Sequence, residues 1–441
     1  MGTHLSKGAR ARLGLVPHRG DRRHLPQCPE ALVICAALLI CCFAGGTVQA
    51  ETAPPYAALF QQAEASAPRL AEAAANVRVA EGLAGQAGLL PNPSVGVQVE
   101  NIGPKSSIAG LAAQQETFSV AEPIEFGGKR GARIRAGVAS VNAAEAQNRR
   151  IVVDFGYDLA IAYVTAEAAE ARTNLYRDAL NAAADDLRAA QALVNAGREA
   201  PLRGVQAEAA STSAQADLQL GEAEFADALA KLSVLVAAPN PYTAVSPSLL
   251  PSVDNFAPPS SVPPANYPAI AVAAAERDAA AQRVDVERTR AAPTVTASLG
   301  LRRITGEGST LFVGGIVVPL PLFDDNRGNI AAALAELTAA DVRLNAARIE
   351  AETGWRAALV QANAAEARSA AARNAEMAAD QAYRLTRTGY EAGRTPLSEV
   401  LTARRNLTDA QLRTLDARVA RVRAEAELAR LSGRIPFGGA P

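Results

Sequence analysis

The sequence predicts a mainly α-helical protein with a small β part, built from one structural unit used twice. Three observations predict it. The segment Glu122-Pro123-Ile124-Glu125-Phe126-Gly127-Gly128-Lys129-Arg130-Gly131 is echoed by Pro319-Leu320-Pro321-Leu322-Phe323-Asp324-Asp325-Asn326-Arg327-Gly328. Each copy opens a long alanine-rich stretch that breaks at a matching turn, Ala196 to Leu202 and Ala392 to Leu397. Arg130 lies 67 positions before Gly197, and Arg327 lies 66 before Gly393. A repeat this regular is one architectural unit built twice.

Taken in order, residues 1–50 read as a signal peptide. Lys7, Arg10, Arg12, Arg19, Arg22 and Arg23 form a basic start, residues 31–46 an apolar run, and Val48-Gln49-Ala50 a small-residue cleavage site. The apolar run is short for a spanning helix. Arg22-Arg23 sits in a poor setting for a twin-arginine signal. All four cysteines (Cys28, Cys35, Cys41, Cys42) and all three histidines (His4, His18, His24) fall in this leader. Ile40 and Cys41 precede the last two cysteines, whereas a lipidated cysteine needs a small residue there, so no N-terminal lipid is expected. Residues 51–441 therefore offer no disulfide, thiolate or imidazole chemistry. Removing the leader's six basic and two acidic residues from 44 and 45 leaves 38 and 43, a net charge near −5. No basic block supports nucleic-acid binding.

The first repeat is placed at 51–238, a Pro/Ser-rich linker at 239–267, the second repeat at 268–433 and a C-terminal tail at 434–441. In the first, a helix is expected over 56–86, ended by Pro91-Asn92-Pro93, which no helix interior tolerates. Ser94 to Glu100 alternates apolar and polar residues, a half-buried strand over about 94–101, followed by a second at 116–124. Helices follow at 129–194 and 202–236. The second repeat replays the order: helix 268–290, strands 293–302 and 310–320, helices 327–388 and 397–431.

Stepping alternately by four and three from Ile134 to Val194, fifteen of eighteen positions are apolar. That is a sustained heptad seam. About 66 residues at 1.5 Å each make a rod of roughly 100 Å. In the last helix Val400, Leu407, Ala410, Ala417, Ala424, Leu428 and Leu431 mark one seam, and Leu412, Leu415, Val419, Val422, Ala426 and Ala429 a second beside it. Two seams imply a neighbour on each side, as in a ring of helices. The alternative is one broad apolar stripe on a bundle.

Val95, Val97 and Val99 share one strand face, and Val295, Ala297, Leu299 and Leu301 another. Strands with one apolar and one polar face suit a membrane barrel. Four strands cannot close a barrel, so several copies must pool them. The soluble alternative is a pair of surface hairpins capping a bundle.

Together Leu90-Pro91-Asn92-Pro93, the Pro123 to Arg130 segment with its Gly127-Gly128-Lys129-Arg130, the Pro319-Leu320-Pro321-Leu322-Phe323-Asp324-Asp325-Asn326-Arg327-Gly328 segment and Gly389-Tyr390-Glu391-Ala392-Gly393 resemble the TolC-type outer membrane efflux factors. The Gly-Gly-Lys-Arg form resembles the CzcC-like branch, which serves cobalt-zinc-cadmium and related heavy-metal resistance pumps. The resemblance implies a homotrimer whose twelve strands close a barrel in the outer membrane, continuous with a periplasmic α-helical coiled-coil tunnel. It implies docking to a periplasmic adaptor and an inner-membrane RND pump, and a function as exit channel for metal cations. A drug or type I protein-secretion channel of the same fold is the alternative, and a periplasmic coiled-coil scaffold without a pore is the rival from another class.

The tunnel mouth is assigned to the two breaks, with Gly197, Pro201, Tyr390, Gly393 and Pro396 as adaptor-contact residues. Plain helix corners are the competing reading. The resemblance aligns Glu399 with an acidic entrance position, where three copies would form a carboxylate ring, with Arg394 and Arg404 as its gating partners. Thr402 departs from a second position that is acidic in well-known members. Gly127-Gly128-Lys129-Arg130 lacks P-loop spacing, and Asp324-Asp325 reads as a turn. No catalytic residue, cofactor site or metal ligand set is expected.

Overall fold

A computed structural model of the chain describes residues 51–102, 114–256, 263, 264, 266–305 and 308–438. The leader readings at 1–50 lie outside the described residues. In chain order the elements are β1 (Glu51–Ala53), α1 (Tyr56–Ser66), α2 (Pro68–Ala87), β2 (Ser94–Glu100), β3 (Gln115–Glu125), α3 (Lys129–Asn195), α4 (Pro201–Leu235), β4 (Tyr242–Val245), α5 (Leu249–Ser252), α6 (Pro268–Arg290), β5 (Thr294–Ile304), β6 (Thr310–Val317), α7 (Arg327–Glu391) and α8 (Leu397–Leu431). No helix among the described residues is long and apolar enough to cross a membrane.

Three expectations need correction. The helix over 56–86 is two helices: Ala67 takes an extended conformation (ψ 122°) and Pro68 starts the second. Proline's ring pushes the preceding residue out of the helical region, and its own missing N–H is harmless in a first turn. The four strands are six among the described residues, because β1 pairs in parallel with β4. Each is too short to show a period, and they meet across nearly the whole first repeat. The last strand stops at Val317 instead of 320, since Pro319 has no N–H to extend the ladder.

β2, β3, β5 and β6 form one antiparallel sheet in that order. Beneath it α2, α3, α6 and α7 lie side by side in the same order. α3 has 67 residues and α7 has 65, each about 100 Å long. α8 resolves its two seams onto two neighbours. Leu428 packs with Trp355 and Ala358 of α7, while Leu415, Val419, Val422 and Ala426 join the core around α3.

That core lies midway along the helices. Tyr56, Leu59 and Phe60 meet Phe155, Leu159 and Tyr163, with Leu229 and Leu232 of α4. The stretch over 239–267 is more than a connector. It supplies Tyr242, Val245, Leu249, Leu250 and Val253 to the core. Glu167 of α3 holds it there, a buried carboxylate accepting the N–H groups of Ser248, Leu249 (3.0 Å) and Leu250 (2.7 Å) at the start of α5. Tyr163 Oη donates to carbonyls on both β1 and β4 flanks, at Pro54 (2.9 Å) and Ser246 (2.5 Å).

Candidate functional site

The functional geometry lies in three places along the rod: the tips, the sheet, and the junction between them.

At the tips, both long helices end the same way. Gly197 (φ 69°) and Gly393 (φ 72°) take the left-handed conformation that glycine adopts without strain. Gly197 donates to Val194 O and Arg198 to Leu193 O; Gly393 donates to Tyr390 O and Arg394 to Gly389 O. This is the Schellman arrangement that satisfies orphan helix carbonyls. Pro201 opens α4, and Pro396 is the extended residue before α8. Leu397 then inserts between Ala190 of α3 and Ala207 of α4, flanked by Leu187, Tyr390 and Leu401. The second tip is thereby plugged into the first. Burial pushes the Tyr390 hydroxyl up from its ordinary range, assisted by the charges of Glu199 and Asp186.

Of the three gate candidates, Glu399 and Arg394 are exposed and make no ion pair among the described residues. Arg404 is elsewhere: its guanidinium, 11% exposed, pairs with Asp186 of α3. Burial raises the Asp186 carboxyl above the usual range, and Arg404 opposes that shift. The structure therefore brings Arg404 to Asp186 and not to Glu399. Thr402 bonds back to Ser398 O.

In the sheet, register aligns Val97, Phe118, Leu301 and Phe312 in one row, and Val95, Val120 and Leu299 in the next. All of them are exposed, Phe312 at 83%. The opposite face carries Gln98, Thr117 and Arg302 in a row. There Arg302 donates to Thr117 Oγ1 (3.0 Å) and lies 3.5 Å from Glu100. Where the strands approach closely, Gly300 is required, since a Cβ would stand 2.5 Å from Phe118 O.

The repeated motifs build the junction. Pro123 lies opposite Thr296, and Pro91 and Pro93 form the extended approach to β2. Gly127 (φ 75°) and Gly128 (φ 78°) turn the chain from β3 into α3. Lys129 Nζ donates to Thr294 Oγ1 (2.8 Å), tying the first repeat to the second. Arg130 donates to Gly88 O (2.7 Å) at the end of α2, a cation at a helix C-terminus. Arg133 adds a two-pronged pair with Glu125 and bonds to Ala87 O and Leu89 O. In the second repeat Asn326 (φ 63°) replaces the glycine, and its Nδ2 donates to Glu287 O (2.7 Å), capping α6. Asp324 accepts Asn326 N, and Asp325 accepts Arg327 N and pairs with Arg327 Nε at 2.5 Å, so the two carboxylates build a turn. Pro319 and Pro321 flank Leu320, and Phe323 is fully exposed. Gly328 sits in the first turn of α7 with open space around it.

Sequence reasoning missed Arg133, Glu167 and Asp186, and held Glu125 only as part of the repeated segment. Only Arg133 carried a signal, standing one helical turn after Lys129 on the face that clamps α2.

An amphipathic strand sheet with an exposed apolar face, feeding straight into paired rods of about 100 Å, defines an outer membrane channel with a helical extension. The chain belongs to the outer membrane efflux protein family, whose model matches residues 59–238 and 264–434. It is 43% identical over 403 residues to the nickel-cobalt-cadmium resistance protein NccC of Alcaligenes xylosoxydans xylosoxydans, covering 91% of this chain and 92% of that one. It is 44% identical over 388 residues to the nickel and cobalt resistance protein CnrC of Cupriavidus metallidurans, covering 88% and 92%. The cobalt-zinc-cadmium resistance protein CzcC of the same organism is 29% identical over 83% of this chain and 86% of its own. These relatives bear out the likeness to the CzcC-like branch. Among solved structures, the outer membrane protein VceC of Vibrio cholerae superimposes with a TM-score of 0.69 at 21% identity, covering 86% of this chain and 96% of that one. That likeness shows the fold.

Proposed function

We propose that this protein is the outer membrane exit duct of a tripartite RND-type efflux system that expels nickel, cobalt or related divalent metal cations. The observation that carries the reading is the near end-to-end identity above 40% to two nickel and cobalt resistance proteins. Three copies pool twelve strands into a barrel, since four strands with free edges cannot stand in lipid. Residues 1–50 direct export and are removed. The tips around Gly197, Pro201, Tyr390, Gly393 and Pro396 meet the periplasmic adaptor, which links the duct to the inner-membrane pump. Glu399, exposed at the start of α8, contributes a carboxylate ring at the entrance, where it attracts cations. Arg404, paired with Asp186 of α3, ties α8 to α3 at the entrance, while Arg394 stays as Glu399's available partner.

Metal passes without resident chemistry. Residues 51–441 hold no cysteine or histidine and a single methionine, Met377, so the duct carries no thiolate or imidazole set that would discriminate nickel or cobalt. Selection belongs to the pump, and the protein acts as a conduit rather than an enzyme. Deleting the gene and growing cells on a metal and drug panel tests the reading. Sensitivity to nickel and cobalt is expected. Sensitivity to drugs alone would assign the duct to a drug pump, and loss of protein secretion alone to a type I system. Purified protein that gave no single-channel conductance would make it a scaffold.

A further inference from the structure

Among the described residues, β2 and β6 carry no strand on their outer edges. We propose that the outer edge of β6 and the segment after it, through Leu320, pairs antiparallel with the outer edge of β2 of a second copy. In the proposed register Val318 lies opposite Val99 and Leu320 opposite Val97. This rests on the trimeric reading above and specifies how the copies join.

The register comes from the internal duplication. Pro93 and Val95 of β2 correspond to Pro293 and Val295 of β5, an offset of 200 positions. Pro123 of β3 and the left-handed Gly128 correspond to Pro321 and the left-handed Asn326, an offset of 198. These offsets reproduce the second hairpin. Ser94 opposite Ala121 becomes Thr294 opposite Pro319, two steps beyond the observed Thr296 opposite Val317. The seam between repeats inside one copy is β3 against β5, with Glu122 opposite Ala297 and Ile124 opposite Val295. Applying the same offsets to that seam turns β3 into β6 and β5 into β2 of the next copy. Glu122 opposite Ala297 becomes Leu320 opposite Val97.

Two observations independent of the duplication agree. The first is hydrogen-bond direction. Thr305 N donates to Gln114 O, and Ile304 N donates to Ser309 O. Odd residues of β5 therefore face β3 and even ones face β6, because an antiparallel strand alternates its bonding sides. Carried across the ladders, odd residues of β6 face β5, and even residues face outward. In β2 the even residues face β3, and Val95, Val97 and Val99 face outward. The proposed register joins outward-facing residues on both sides, and a one-residue slip would not. Pro319 is odd, so it removes only an inward-facing donor and leaves the N–H groups of Val318 and Leu320 for the neighbour, while Leu322 N donates to Leu320 O (2.9 Å) in a tight turn that ends the pairing segment.

The second observation is facial. Leu320, Val95, Val97 and Val99 are all exposed; the three valines lie on the apolar face of the sheet, and the alternation of β6, continued from Phe312 and Ile316, puts Leu320 on the same face. The register continues that face across the joint. The duplication then chooses among the two-residue slips that parity leaves open.

Paired cysteines test this in the full chain, which has no cysteine after Cys42. Val317 and Glu100 would face each other as a close, non-hydrogen-bonded pair, within disulfide reach. Val317→Cys with Glu100→Cys should yield covalent trimers under mild oxidation on a non-reducing gel. Val317→Cys with Gln98→Cys or with Ile102→Cys, the slipped registers, and each single cysteine should not. As a check free of cysteines, Val318→Pro should lower the temperature at which the detergent-solubilised trimer dissociates, and Pro319→Ala should leave it unchanged. Preferential cross-linking of a slipped pair, or no cross-linking in a protein that sizes as a trimer, overturns the register. A protein that sizes as a monomer overturns the trimeric reading itself.

Discussion

Ala237 sits one residue past the cap of α4 in the left-handed conformation, at φ 52°, with its N–H on Val234 O and that of Ala238 on Ser233 O. The corresponding position after α8 is Gly433, at φ 75°. An L side chain in that region costs roughly 1 kcal/mol, which glycine avoids. Ala237→Gly should therefore raise the thermal midpoint by about 1 kcal/mol in stability, against the usual direction for a glycine substitution. A lowered midpoint in thermal denaturation would refute this account of the cap. Glu425 is a second residue-scale case. Burial pushes its carboxyl up, Arg421 pulls it down, Glu366 pushes with burial and Arg434 pulls with Arg421. A carboxyl with a raised folded-state value favours the protonated form. Its contribution is fully present below the unfolded carboxyl value, about 4.3, and is lost as pH rises through the folded value. Glu425→Gln should stabilise at pH 7 and give no gain near pH 4. An equal gain at both pH values would show that the effect is not electrostatic. Neither residue was legible in the sequence, because one depends on a backbone angle and the other on three side chains from α7, α8 and the segment after α8.

At the scale of elements, the β3-to-α3 turn separates two costs of replacing glycine. Gly127 and Gly128 both hold positive φ, but only at Gly127 would a Cβ collide, 2.7 Å from Ala292 Cβ. Gly128→Ala should cost the backbone strain alone, roughly 1–2 kcal/mol, and Gly127→Ala that strain plus the clash. Equal losses in chemical denaturation would mean the junction yields. Glu167 shows the opposite dependence, one side chain holding a whole segment. Glu167→Ala would strand three N–H donors and should cost on the order of 3 kcal/mol. It should also open residues 246–252 to protease before the rods unfold, as limited proteolysis would read. The two-seam pattern of α8 was legible because heptad spacing is local, and Leu428 and Val422 do face different neighbours. The break at Pro68 was equally local and was passed over, since alanine-rich sequence on both sides masks a single proline in a periodicity count.

For the whole molecule, the rods matter through their length and their ends. Leu397 of the second tip packs between Ala190 and Ala207 of the first, so the two tips share one apolar contact. Leu397→Asp should loosen that plug and raise the leak of a small dye or ion through the reconstituted channel, with the Arg404–Asp186 pair left as the remaining tie. No change in conductance would place the constriction elsewhere. Glu399→Gln, on the exposed side of the same helix, should leave the fold intact and reduce the preference for cations over anions in bilayer recordings.

What the sequence determined by itself was everything written with a period: the duplication, the heptad seams, the alternating strands and the glycine turns. Each is a property of neighbouring residues, so it can be read before the chain is folded. Tertiary structure alone decided which distant residues meet. It paired β1 with β4, seated Glu167 under α5 and gave Arg404 to Asp186. Those partners lie from 81 to 218 positions apart. At such separations a contact is set by the path of the whole chain, and no local pattern encodes it.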